Sequence, residues 1–362
     1  MIGLSSIGMM LFTSRPVGDA MATTIWGTSS SWTLTALPLF VWMGEILFRT
    51  KLSENLFKGL SPWMQKLPGG LIHVNVVGCA LFAAISGSSA ATVATVGKMS
   101  IPELRKRNYP EKILLGSLAG SGTLGLLIPP SIILIIYGVA VQESIAKLFI
   151  AGIIPGIMIA LIFMSYVIIW SLINKKSMPK IIEEYSFFEK IKRSKQLLPV
   201  IILILAVIGS IYTGIATATE AASLGVVGAL ILSYFQKSLT LKTFKSSLLG
   251  ATKTSCMIAF ILAGSTFLSL AMGFTGLPRN LALWIQNMEL SPYVLIFVLM
   301  IFYIILGMFL DGISAVVLTM AIIEPMIRQA GFDMIWFGIF LVIVVEMAQI
   351  TPPVGFNLFV LQ

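Results

Sequence analysis

Runs of apolar residues alternate with short charged stretches over the whole chain. A hydrophobic run of about 20 residues is typical of a transmembrane helix. We therefore predict an all-α integral membrane protein that forms a single membrane domain over residues 1–362. A polar turn divides each of the apolar regions 71–99 and 292–327, and a proline pair divides each of the regions 113–141 and 334–361.

The first polar turn is Ser86-Gly87-Ser88-Ser89. Each apolar arm beside it has at most about 15 residues, or roughly 22 Å as a helix, whereas a bilayer core is about 30 Å thick. Because neither arm can span the membrane, we predict a re-entrant helical hairpin with its tip inside the bilayer. Irregular backbone at that depth survives only where protein or a water-filled cavity satisfies it. The tip is therefore a candidate binding site.

The regions 113–141 and 334–361 are long enough to span, but Pro129-Pro130 and Pro352-Pro353 interrupt them. Proline lacks an amide donor and clashes with the preceding helical turn, so we predict that both transmembrane helices are broken near their centres. Broken helices expose free amides, which favour anions, and free carbonyls, which favour cations.

The two halves of the chain carry these features in the same order. A shift of 225 residues places Gly87 on Gly312, and a shift of 223 places Pro129 on Pro352. The second turn is therefore predicted to be a re-entrant hairpin as well. Matching interrupted segments in two halves indicate a secondary transporter with its site at the repeat interface. The predicted boundaries are 33–173 for repeat one, 197–235 for the linking spans and 255–362 for repeat two.

The sequence also predicts the structure of three segments outside the hairpins and the broken helices. Residues 49–70 carry leucines at helical spacing among charged residues, which predicts an amphipathic helix in the membrane interface. Residues 13–31 are predicted to be a polar connection. Residues 236–253 are predicted to be a basic amphipathic segment, separate from a span over 255–273.

The charge distribution predicts an orientation. Four loops each carry +3 or +4 and together carry +14, whereas the other loops are balanced. Five acidic residues within or at the edge of apolar segments bring the net charge to +9, namely Glu45, Glu220, Asp311, Glu324 and Glu346. This is the positive-inside pattern, so the four loops are predicted to face the cytoplasm and the two hairpins to enter from opposite sides. The halves are then inverted-topology repeats, and the positive charge does not indicate a nucleic-acid partner. The four loops are 49–70, 98–112, 175–196 and 236–254.

Composition narrows the candidate chemistry. With 57% hydrophobic and 11% charged residues, the chain is not a soluble domain with a single anchor. Its two cysteines lie in apolar segments, so neither a disulfide framework nor a metal cluster is expected, and no cofactor is predicted. Hydroxyl, carbonyl and carboxylate oxygens dominate the turns and breaks, and oxygen ligands suit a hard cation such as sodium.

Each candidate residue also has an ordinary structural explanation. Serine and threonine in membrane helices often donate to a carbonyl of the preceding turn. An intramembrane carboxylate such as Asp311 is usually functional or paired, but it can instead cap the following helix. These alternatives remain open from the sequence.

Six motifs occur in a fixed order along the chain. They are His73-Val74-Asn75-Val76, Ser86-Gly87-Ser88, Ile128-Pro129-Pro130-Ser131, Ile136-Tyr137-Gly138, Gly307-Met308-Phe309-Leu310-Asp311 and Thr351-Pro352-Pro353-Val354-Gly355-Phe356-Asn357-Leu358-Phe359. In order and spacing they resemble the large membrane subunit of tripartite ATP-independent periplasmic (TRAP) transporters, the DctM-like family within the ion transporter superfamily.

The resemblance implies sodium-driven uptake of an organic acid anion (a C4-dicarboxylate, sialic acid or a sugar acid) across the bacterial inner membrane. It implies that a periplasmic binding protein delivers the solute, that a small membrane subunit braces the large one, and that the hairpin-bearing part moves like an elevator. Family members extend at both ends, so we expect the sequence to be truncated at both ends.

The residue chemistry and the resemblance together predict the site. The predicted sodium-binding residues are Ser86, Gly87, Ser88, Ser89, Asp311, Gly312 and Thr351. The predicted substrate-binding residues are Ser89, Thr123, Ser314, Pro130 and Pro353.

Two rival functions remain. A stand-alone sodium–dicarboxylate symporter of the same superfamily would need no binding protein. An intramembrane protease would need a Ser–His pair, an aspartate dyad or a zinc motif. His73 is expected near the base of the first hairpin, away from the serines at its tip, and Asp311 has no second aspartate near it in the sequence. We therefore predict that the protein is not an enzyme.

Overall fold

A computed structural model describes residues 2–13, 16–50, 52–179, 185–195, 197–287 and 291–361. Within these residues the secondary structure is helical, with nineteen α-helices. They are α1 (Ile2–Phe12), α2 (Val17–Ser29), α3 (Ala36–Phe48), α4 (Leu52–Met64), α5 (Ile72–Ser86), α6 (Ser89–Lys106), α7 (Glu111–Gly122), α8 (Leu124–Leu127), α9 (Ile132–Val141), α10 (Ile145–Ile173), α11 (Phe187–Ser194), α12 (Leu198–Tyr212), α13 (Ala218–Phe235), α14 (Leu241–Thr275), α15 (Leu277–Asn287), α16 (Pro292–Gly307), α17 (Gly312–Gln329), α18 (Met334–Gln349) and α19 (Phe356–Val360).

Several helices are long and apolar enough to cross a membrane. Among the described residues there are five such spans, or seven if two bent helix pairs each count as one. The prediction of an all-α, multi-pass membrane protein is therefore confirmed. The five spans are α7 to α9 taken together, α10, α13, α14 and α17.

A two-residue turn separates α5 from α6, at the position predicted for the first hairpin tip. Gly87 ends α5 with a left-handed backbone, φ +59°, which glycine adopts without a Cβ penalty. Ser88 begins α6, and its side chain accepts a hydrogen bond from the Ala91 amide at 3.4 Å. The helix continues to Lys106, past the predicted end of the hairpin at residue 99, because the buried Leu104 extends its packed face.

Both predicted helix breaks are present. The first long helix stops at Leu127, crosses Pro129 and Pro130 in irregular backbone, and resumes as α9 with Ser131 as the N-cap. In the second half α18 ends at Gln349 and α19 begins at Phe356, with the second proline pair in between. The repeat boundaries given above remain predictions.

Two predictions about connections were wrong. Residues 13–31 contain α2, because Val17 and Met21 give it an apolar side that packs against Phe267 of α14. Most of the segment 236–253 and all of the predicted span 255–273 belong to the single helix α14, which runs from Leu241 to Thr275. Its interior contains no proline, and one buried face runs along it through Ser247, Ala251 and Ile258.

Candidate functional site

A cavity of about 560 Å³ lies where the two polar turns meet. Ser86, Ser88 and Ser89 line it from the first turn, and Asp311 and Gly312 line it from the second. The fold therefore brings together five residues that the sequence predicts to bind sodium. We call this space the turn cavity.

The first turn is seated in the first helix break. The Ile132 amide donates a hydrogen bond to the Gly87 carbonyl at 3.3 Å. A Cβ on Gly87 would lie 2.7 Å from the Pro130 carbonyl oxygen, and a Cβ on Gly125 would lie 2.6 Å from the Ser88 carbonyl oxygen. Two backbones thus touch without side chains between them. Gly87 and Pro130 form this contact, and neither is among the residues described as lining the turn cavity.

The second turn packs against both halves of the chain. A Cβ on Gly312 would lie 2.5 Å from Gln349 Nε2 and 3.4 Å from Ile133 Cδ1. Asp311 caps α17, because its Oδ2 accepts a hydrogen bond from the Ser314 amide at 3.1 Å. The capping alternative is therefore present, and the same exposed carboxylate also faces the turn cavity. Ser314 supplies the capped amide, but it is outside the described cavity lining.

The remaining predicted site residues are placed elsewhere. Thr123 donates its hydroxyl to the Gly120 carbonyl at 2.6 Å, and Thr351 donates to the Met347 carbonyl at 2.8 Å. Both match the alternative in which a helical hydroxyl bonds to the preceding turn. Neither threonine is in the described lining of the turn cavity, and the same holds for the exposed Pro353. Their assignments stay predictions.

Glu346 reaches the site region in a way that the sequence did not indicate. The residue is only 4% exposed, and its Oε1 accepts a hydrogen bond from Ser89 Oγ at 2.6 Å. Oε2 has no hydrogen-bond partner within the described part of the chain. An acidic residue in an apolar run is a visible signal, but its partner lies 257 positions away and only the fold reveals it.

The charges around the turn cavity are negative. Its described lining includes the carboxylates of Glu45 and Asp311 and no basic side chain. Glu45 forms an ion pair with Arg49, one helical turn further along α3. Glu45 is not among the predicted site residues, because its position near the end of an apolar run fits a side chain that simply reaches the membrane interface. Because Arg49 offsets the charge of Glu45, the Asp311 carboxylate supplies the negative charge that favours a cation in this cavity.

Comparison with known proteins identifies the family. The whole chain, residues 1–362, matches the family model described as "Tripartite ATP-independent periplasmic transporter, DctM component". The chain belongs to the DctM family. This membership confirms the resemblance seen in the six sequence motifs.

Several DctM-family relatives are similar over most of the chain. The C4-dicarboxylate TRAP transporter large permease protein DctM of Pseudomonas aeruginosa is 33% identical, over 99% of this chain and 84% of that protein. The 2,3-diketo-L-gulonate TRAP transporter large permease protein YiaN of Escherichia coli is 32% identical, over 92% of this chain and 78% of that protein. The isethionate TRAP transporter permease protein DctMQ of Oleidesulfovibrio alaskensis is 30% identical, over 99% of this chain and 56% of that protein. Their names as permeases favour transport over an intramembrane enzyme.

Removing the Ser89 hydroxyl should destabilise this DctM-family protein. Ser89→Ala takes away the described hydrogen bond to the buried Glu346 carboxylate, which costs about 1–3 kcal/mol when a buried polar group loses its partner. Thermal unfolding in detergent measures the loss. The control is Ser165→Ala, since the exposed Ser165 donates only to the Leu161 carbonyl of its own helix. Equal unfolding temperatures for the two variants would contradict a stabilising role for the Ser89–Glu346 contact.

Proposed function

We propose that this chain is the large transmembrane subunit of a sodium-coupled secondary transporter, which imports an organic acid anion across the bacterial inner membrane. The main support is the turn cavity, which the serines of the first turn and Asp311 of the second turn both line. Sodium prefers such oxygen ligands. The proposed substrate is a C4-dicarboxylate, sialic acid or a sugar acid, and the names of the DctM and YiaN relatives support the first and the last of these classes.

The charge of the turn cavity suggests how the two fluxes are coupled. Before sodium binds, the Asp311 carboxylate opposes the entry of a negatively charged solute. After sodium binds, the local charge is reduced, and the cost of bringing in an anion falls by several kcal/mol at close range. Each ligand then raises the affinity for the other, as linkage requires. An elevator movement of the hairpin-bearing part would carry both ligands across the membrane together.

The proposed partners are a periplasmic solute-binding protein and a small membrane subunit. The family description names a tripartite, periplasmic system. The DctMQ relative is considerably longer than this chain, which covers 56% of it, as expected if a second permease component is joined to the large one. Exposed apolar side chains along α10, such as Ile154, Leu161 and Ile169, give a surface for lipid or for such a subunit.

Uptake into proteoliposomes tests the proposal. The full chain is reconstituted with its small subunit and binding protein, and radiolabelled acids are offered under an inward sodium gradient. We expect uptake of at least one organic acid with sodium and background uptake with an equal potassium gradient. Uptake of every acid at the same rate under both gradients would refute sodium coupling. Sodium-driven uptake that persists without the binding protein would instead favour a stand-alone symporter.

A further inference from the structure

A second cavity adjoins the turn cavity. It has a volume of about 1020 Å³, and Phe48 and Ala94 line both spaces. We call it the basic cavity, because its described lining holds six basic side chains and a single carboxylate, that of Glu103. The six are Arg49, Lys58, Lys98, Arg107, Arg193 and Lys242.

The basic side chains come from distant parts of the sequence. Arg49 and Lys58 belong to the loop 49–70, Lys98 and Arg107 to the loop 98–112, and the other two to the loops 175–196 and 236–254. All four loops predicted to face the cytoplasm therefore contribute to one cavity. Such a convergence of like charge, in the absence of a ligand, is unfavourable unless an anion or counter-ions offset it.

Neighbouring groups offset only part of this charge. Arg107 lies 3.9 Å from Glu103, and the Arg193 guanidinium lies 4.3 Å from the centre of the Tyr185 ring. Lys98 and Lys242 are exposed. The lining thus has more positive than negative groups, and it forms a concave surface, which focuses the potential.

Arg49 stands at the junction of the two cavities. It pairs with Glu45, which faces the turn cavity, while its Nε donates to Ser246 Oγ in the basic cavity at 3.0 Å. Phe48, which is 44% exposed, faces both spaces. A carboxylate that crosses this junction passes from the lining that contains Asp311 to the lining that contains the six basic side chains.

We propose that the basic cavity is an anion-binding vestibule, which receives the carboxylate groups of the transported acid on the cytoplasmic side. The transport step rests on the proposed function, but binding in the vestibule is a separate property. When sodium leaves the turn cavity, the Asp311 carboxylate repels the acid, and the basic side chains of the adjoining cavity attract it. The vestibule thereby favours release of the acid toward the cytoplasm.

Charged thiol reagents measure the potential in this vestibule directly. The exposed Cys256 is replaced by serine, which leaves only the buried Cys79, and Ser61→Cys places a single thiol in the lining. The full chain is held in nanodiscs of neutral phosphatidylcholine. We expect an anionic methanethiosulfonate to react on the order of tenfold faster than a cationic one, relative to their rates with a free thiol.

A matched pair of double variants tests which charges matter. Lys98→Gln with Lys242→Gln removes two lining bases from α6 and α14, and it should lower the rate preference at least threefold. Lys106→Gln with Lys245→Gln removes the same charge from the same two helices outside the described lining, and it should leave the preference unchanged. Equal effects of the two pairs would overturn a local site.

Protection by a dicarboxylate tests binding. Succinate should slow the anionic reagent more than sodium chloride does at equal ionic strength. No such difference would overturn the proposal, and so would protection that appears only when phosphatidylglycerol is added, since the cavity would then hold lipid headgroups. Succinate protection without uptake of any acid in proteoliposomes would reject the proposed transport function and leave the vestibule standing.

Discussion

Gly125→Ala is expected to abolish uptake and to lower stability by about 1–3 kcal/mol, the usual cost of forcing extra atoms into a packed site. The new Cβ would lie 2.6 Å from the Ser88 carbonyl oxygen and 2.7 Å from Ser89 Cα. Because backbone atoms cannot rotate away, the new methyl group has to displace the first turn from the helix break. Its serines are then displaced from the turn cavity. Uptake assays and thermal unfolding of the same preparation measure the two effects.

Gly116→Ala is the matched control in α7, the helix that precedes α8 in the same predicted span, and no atom lies within 4 Å of the new Cβ. Alanine is the better helix former by up to about 1 kcal/mol, so this variant should be as stable as the parent or slightly more so, and should transport normally. Normal uptake by Gly125→Ala would show that the close seat of the first turn is not needed for function.

Asp311→Asn is expected to raise the sodium concentration for half-maximal uptake at least about tenfold. The substitution removes a charge from the turn cavity, and tenfold corresponds to about 1.4 kcal/mol, well below the attraction of two close charges at a protein surface. Asparagine caps helices about as well as aspartate, so α17 should still begin correctly. Circular dichroism and thermal unfolding should therefore match the parent.

Asp333→Asn controls for the loss of an N-cap carboxylate. Asp333 caps α18 by accepting from the Trp336 amide at 2.8 Å, and it is outside the described lining of the turn cavity. Sodium dependence should stay at the parental value in this variant. An unchanged sodium dependence in Asp311→Asn as well would reject a role for that carboxylate in cation binding.

Features set by local backbone chemistry could be predicted from the sequence. A glycine between serines predicted the turn at Gly87, and two adjacent prolines predicted each helix break, because these residues restrict the chain whatever surrounds them. The convergence of both turns on one cavity followed from the internal repeat. The formation of α2 and the length of α14 depend on the burial of one apolar side of each helix. The polar residues in those segments made this apolar side hard to recognise in the sequence.

Contacts between distant residues could not be predicted in the same way. Nothing near Ser89 in the sequence indicates that Glu346 accepts its hydrogen bond, and nothing near Gly125 indicates that Ser88 lies against it. The hydroxyls of Thr123 and Thr351 illustrate the opposite case, since their residue type fits a ligand but their geometry satisfies a neighbouring carbonyl. Only the packed fold separates these possibilities.

The seat of the first turn also limits how this protein can move. Gly125 and Gly87 leave no side chains between two backbones, and the Ile132 amide fastens one to the other. Sliding one past the other would have to break that hydrogen bond and separate the two backbones. We therefore expect the first turn and the helix break beside it to move together in any conformational change of the protein.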